Sequence, residues 1–235
     1  MPRPRSRIRY SAVADVLPTR PTPRVIPSVD PWMAGEMFVS PHIEERRRGF
    51  AILFGSEAAR RSPLTPHLLA SRVDEPDLGL RAQIIQALAD YFEIRGHEYR
   101  YPAEMRVAIV GYLRKFDRPH ILALLEVYLG QRNDGSRPRP ESLARLLERI
   151  PNASTHLTRL AGDKAMALDV RCAAIELIGQ VGFTDALAAL AGLEVRLEGR
   201  RAGQLTMTFA PHDHPDDQGL VPALKETLRL LREDE

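Results

Sequence analysis

The residue pattern points to an all-α chain of stacked helical hairpins behind an extended, proline-rich N-terminal arm. Three observations carry that expectation. Residues 1–42 hold eight prolines, so this stretch cannot donate a regular backbone ladder and is expected to be extended or disordered, with polyproline character in places. From His42 onward apolar residues recur at helical spacing, and the breaks RRSPLTP, RVDEPD, RGHEYRYP, DRP, NDGSRPRP and FTD carry Pro, Gly or Asp turn chemistry. Finally, Arg81, Arg106 and Arg171 each sit within a helical apolar face, where the same environment recurs three times.

This gives an arm over 1–42 and a helical repeat domain over 43–235. Helices are expected near 43–57, 64–72, 78–94, 102–116, 119–131, 140–149, 152–161, 166–181, 184–198 and 220–233. DRP and GFTD are connections short enough to make the flanking helices antiparallel. In GFTD, Gly182 suits the left-handed position after a helix, and Thr184 or Asp185 suits the cap of the next. The stretch LEVRLEGRRAGQLTMTF (193–209) fits either a helix to about residue 200 followed by a loop, or a β-hairpin around GRRAG. The stripe Leu187, Leu190, Leu193 and Leu197 favours the helix. In the arm, Trp32 and Phe38 are the aromatic anchors available for packing on a partner, although a solvated tail is the plainer reading.

The arginine rule is simple: Arg, then apolar residues at +3, +4 and +7. Arg81 is followed by Ile84, Ile85 and Leu88; Arg106 by Ile109, Val110 and Leu113; Arg171 by Ala174, Ile175 and Ile178. With 100° per residue these share one face. A buried guanidinium is costly unless hydrogen-bonded, so each is expected to meet a carboxylate or the carbonyls of a neighbouring helix end. Arg81, Arg106 and Arg171 are therefore assigned structural roles. Repetition of one buried device suits a stacked architecture in which each unit buries its face against the next.

The segments LDVRCAAIELIGQVGFTDALAAL and DEPDLGLRAQIIQALADYF resemble HEAT repeats, including the bilin-lyase-type variety, and PAEMRVAIVGYLRKF is a weaker copy. The likeness is strongest over 163–192 and extends to 74–116. Two departures stand out. Arg81 and Arg106 are 25 residues apart, short of a full repeat of roughly forty, and the acid beside Arg171 is Asp169, inside the helix start. The resemblance implies a short right-handed α-α superhelix, a HEAT-like or armadillo-like solenoid of about four or five hairpins, of a kind that mostly binds other macromolecules.

Composition narrows the task further. The chain has 235 residues, a formal charge of +2, 44% hydrophobic and 27% charged residues, which is ordinary for a globular protein. Residues 1–42 carry six Arg against three acids, leaving the remainder at about −1. A nucleic-acid partner is thus disfavoured, because duplex binding needs a basic face on the folded body. Cys172 is the sole cysteine, which excludes an intrachain disulfide and a cysteine-based zinc site. No apolar run reaches membrane-spanning length, no signal-peptide core is evident, and a cytoplasmic location is the default.

No P-loop, Rossmann fingerprint, HExxH or GxSxG is present, so no catalytic residue and no cofactor are assigned. The cluster APHDHPDDQG offers His212 and His214 as the best metal-ligand candidates, but no second pair exists upstream to complete a site. In RGHEYRYP, Tyr99 and Tyr101 beside Arg95 and Arg100 are candidates for surface contact, although a loop whose tyrosines seal the ends of neighbouring hairpins is the plainer reading. The polar sides of the arginine-bearing helices supply Gln83, Gln86, Asp90, Lys115, Glu176 and Gln180, expected to line a concave face that receives a protein partner. The function expected is a non-catalytic interaction or scaffold module. The resemblance keeps open two alternatives: nucleic-acid binding, as in HEAT-like DNA-repair glycosylases, and a bilin-lyase-like enzyme.

Overall fold

In the computed structural model, which describes residues 31–95, 98–133, 140–206 and 215–233, the chain is all-α apart from one two-stranded ladder. Its helices are α1 (Pro31–Phe38), α2 (Ile43–Gly55), α3 (Glu57–Arg60), α4 (Leu64–Ala70), α5 (Leu78–Asp90), α6 (Ala103–Leu113) and α7 (Arg118–Asn133). They continue with α8 (Pro140–Leu147), α9 (Ala153–Gly162), α10 (Leu168–Val181), α11 (Leu187–Thr206), α12 (Pro215–Gln218) and α13 (Val221–Glu233). A 3₁₀ turn, Thr184–Ala186, leads into α11.

Local chemistry sets many of these limits. Asp77 caps α5 by accepting the Leu80 amide at 2.8 Å, and Ser56 caps α3 by accepting the Ala59 amide at 3.0 Å. Gly182 ends α10 at φ 78°, and the Phe183 amide reaches back to the Ile178 carbonyl, a left-handed stop that glycine accepts without a Cβ penalty. Neither Thr184 nor Asp185 caps the 3₁₀ turn; Phe183 stands at that position, and the Asp185 carboxylate instead accepts the Ser154 hydroxyl across to α9.

Two expectations change and one alternative is decided. The arm was expected to be extended through residue 42, yet Pro31–Phe38 is helical. Pro31 starts α1, and Ala34 and Phe38 one turn apart are fully buried against α2. Gly49 of α2 makes this contact possible, since a Cβ there would lie 2.5 Å from the Phe38 amide nitrogen. The loop after α5 closes through a short antiparallel ladder, Ile94–Arg95 (β1) with Glu98–Tyr99 (β2), so α5 ends at Asp90 instead of continuing to 94. Of the two readings of 193–209, helix prevails as far as Thr206.

The helices pack as a row with others against it. α2, α5, α8, α10 and α13 touch in that order, forming the row; α9 and α7 pack on α10, α4 and α7 on α5, and α11 on α13. One apolar cluster extends from Ala34 and Phe38 through Leu88, Ile121 and Ile175 to Leu231. α6 sits to one side, against α4.

Charged groups are threaded through this core. Arg171, 3% exposed, donates Nε to the Ala161 carbonyl at 3.0 Å and Nη1 to Asp217 Oδ1 at 3.0 Å. Its acid is therefore Asp217, 46 residues downstream, and Asp169, the acid beside it in sequence, instead accepts the Val170 amide. Arg81 is also buried; it donates to the Glu75 carbonyl and pairs with Glu126 of α7. Arg106 is half-buried, donating to the Tyr101 carbonyl, with its guanidinium 3.7 Å from the centre of the Tyr99 ring. A fourth, Arg46, does not stand out in the sequence. It is buried and holds the fully buried Glu75 carboxylate through Nη2 at 2.7 Å and Nε at 3.1 Å, while Nη1 takes the Pro41 carbonyl at 2.8 Å.

Candidate partner-binding surfaces

The row α2–α5–α8–α10–α13 presents two grooves. The first, about 400 Å³, lies between α2 and α5 and is lined by Phe50, Phe54, Ala82, Gln83, Gln86 and Ala87. The second, about 460 Å³, lies between α10 and α13, where Cys172, Glu176 and Gln180 face Ala223, Glu226 and Leu230. Neither contains a lysine or arginine. Helical spacing explains the lining: residues 83 and 86, like 176 and 180, lie one turn apart opposite the buried arginine of their helix.

Polar side chains tie each groove to the helices between them. Gln86 donates to Asp90 at 2.8 Å and accepts the Ser142 hydroxyl of α8 at 2.6 Å. The Tyr128 hydroxyl of α7 donates to Glu176 at 3.1 Å and accepts from Gln180 at 3.1 Å. Gln86, Tyr128 and Ser142 share the wall of a small cavity of about 20 Å³ between α5, α7 and α8. Gln83 is exposed, whereas Gln86 and Asp90 are half-buried and tied to each other. The Glu226 carboxyl is held below its ordinary range by hydrogen bonds from Arg229.

Five of the six residues expected on one inner face, Gln83, Gln86, Asp90, Glu176 and Gln180, fall on α5 and α10, two helices of the row with α8 between them. The sixth, Lys115, does not join them, and neither do Tyr99 and Tyr101, which were expected as a separate contact surface. Lys115 follows α6, which packs on α4, and its ammonium sits 5.6 Å from the Tyr112 ring centre. Tyr99 is 41% exposed on β2, stacked by Arg106. Tyr101 is 2% exposed with its ring 4.7 Å from that of Tyr91, so it packs the core where surface contact was expected. His212 and His214 lie outside the described residues, among which no group of three or more His, Cys, Asp or Glu side chains could hold a metal ion.

The feature that sequence reasoning missed lies near the ladder. Phe92, Tyr99, Ala103, Arg106, Val107, Val110, Gly111, Arg114 and Arg149 enclose a second type of pocket, about 400 Å³, carrying three guanidiniums and no carboxylate. Arg149 comes from just past α8, which is why spacing within α6 could not reveal it. Among the described residues no helix is long and apolar enough to cross a membrane. No family model, curated protein or solved structure matches the chain.

Proposed function

We propose that the chain is a non-catalytic docking module, a HEAT-like helical stack that receives a protein partner along the row α2–α5–α8–α10–α13. The observation that carries this reading is the placement of two open grooves on one row, with polar side chains of each groove hydrogen-bonded to one of the two helices between them, Gln86 to Ser142 of α8 and Glu176 to Tyr128 of α7. Such a face suits a polar, partly hydrated interface with apolar contacts at Phe50, Phe54 and Leu230. The carboxylates of Asp90, Glu176 and Glu226 on this face favour a protein surface that offers hydrogen-bond donors. They oppose a phosphate backbone, which demands cations.

The test is co-purification on the full chain from cells that express it. Intact protein and an Arg196→Glu control on α11 should retain the same partner. Gln83→Arg combined with Glu226→Arg, at two exposed positions in the grooves, should lose it while far-UV circular dichroism stays unchanged. Retention by the double variant, or tight salt-dependent duplex DNA binding by the intact chain, would overturn the proposal.

A further inference from the structure

The pocket beside the ladder has a different character from the row. Arg106 is fixed at its wall, one nitrogen on the Tyr101 carbonyl and the guanidinium plane over Tyr99 at 3.7 Å. Arg114 is exposed and makes no ion pair among the described residues. Arg149 is exposed too; its carboxylate contact is the adjacent Glu148 at a loose 3.9 Å, and it lies 5.8 Å from the Phe92 ring centre. Between these cations the floor is apolar, built by Phe92, Val107 and Val110, and Val107 is 69% exposed. Ile94 and Tyr99 extend that surface, at 58% and 41% exposed. Arginine donors with open positions beside uncovered apolar side chains are complementary to a carboxylate next to an apolar group.

We propose that this pocket binds an acidic peptide segment of a partner protein, with a carboxylate on Arg114 and Arg149 and a neighbouring apolar side chain seated on Val107 and Val110. Arg106, already fixed, adds its charge without further ordering. Peptide is favoured over nucleic acid by the surroundings: Glu93, Glu104 and Glu148 stand close in the chain to residues that line the pocket, and their carboxylates disfavour a phosphate backbone. The site is separate from the row, so either reading can fail alone.

Fluorescence anisotropy on the full chain tests it, with a fluorescein-labelled dodecapeptide of alternating aspartate and leucine as the probe. Saturable binding that weakens with salt is expected. Arg114→Glu with Arg149→Glu should weaken it at least tenfold, and Val107→Ser severalfold, with circular dichroism unchanged. The milder Arg114→Gln, at an exposed side chain, should still cost threefold or more. Replacing aspartate by asparagine in the probe should weaken binding at least tenfold. Absence of saturable binding, equal affinity in the arginine variants, or tighter binding of a labelled oligothymidine to the same pocket would overturn the proposal.

Discussion

Replacing Asp217 by alanine isolates the buried charge network that joins the last helices to the body. The Asp217 side chain is 1% exposed and accepts from Arg171 at 3.0 Å and Lys164 at 3.3 Å. Removing it strands the Arg171 guanidinium in a place 3% exposed, a loss of about 3–5 kcal/mol when one partner of a buried pair is deleted. The lower end applies, because Nε keeps the Ala161 carbonyl at 3.0 Å. The expected loss of about 3 kcal/mol corresponds to a fall in melting temperature of roughly 6–12 °C for a chain of this size. The apolar pair Arg171→Met with Asp217→Leu should recover at least about half of that loss, since no charge is then left buried. Burial alone would raise the Asp217 carboxyl, but hydrogen bonds and charge from Arg171 and Lys164 outweigh it and leave it lowered. Its contribution is therefore complete above the ordinary carboxylate value of about 3.9 and is lost as pH falls through the lower folded value. Urea melts monitored at 222 nm, run from pH 7 down to pH 3, measure both effects. A loss under about 1 kcal/mol at pH 7, or an apolar pair as unstable as Asp217→Ala, would refute the reasoning.

Three other substitutions probe separate parts of the structure. Glu75→Gln should cost about 3 kcal/mol at pH 7 by uncharging the group between Arg46 and Arg72. The gap from the parent should begin to narrow below the ordinary glutamate value of about 4.3 and close as pH falls through the lower folded value, because burial, which raises the folded carboxyl, is outweighed by hydrogen bonds from Arg46 and Arg72 that lower it. Gly49→Ala should separate α1 from α2, its Cβ meeting the Ala34 carbonyl at 2.7 Å, with a cost of about 2 kcal/mol read from urea melts using Trp32, the sole tryptophan. Tyr101→Phe should be neutral or stabilising by up to about 1 kcal/mol in a thermal melt, because its buried hydroxyl has no hydrogen-bond partner among the described residues.

Helix positions were legible because packing here is periodic, and the apolar stripes of α5 and α10 could be read residue by residue. The arginine rule holds equally for Arg46, with Gly49, Phe50 and Leu53 at +3, +4 and +7. It was hidden there because the +3 residue is a glycine chosen for close helix approach, a property of the partner helix α1 and not of α2 alone. Long-range acids were illegible for a similar reason: Glu126 and Asp217 reach Arg81 and Arg171 from 45 and 46 residues away, while nearer acids take backbone roles. Short elements escaped detection too, since α1 and the ladder of β1 and β2 span too few residues to show a period. On the candidate surfaces, the groove walls on α5 and α10 could be read from the polar faces of single helices, although the same reading misplaced Lys115 and left out the facing walls on α2 and α13. The arginine pocket could not, because it needs α6, the ladder and the end of α8 together.

The most direct test of the docking row is site-specific photocrosslinking in cells that express the chain, with benzoylphenylalanine placed in turn at Gln83, Glu226 and Arg196. Discrete adducts to one common protein from positions 83 and 226, with none from position 196, are the result expected. Adducts from position 196 alone, or none from either groove, would contradict it.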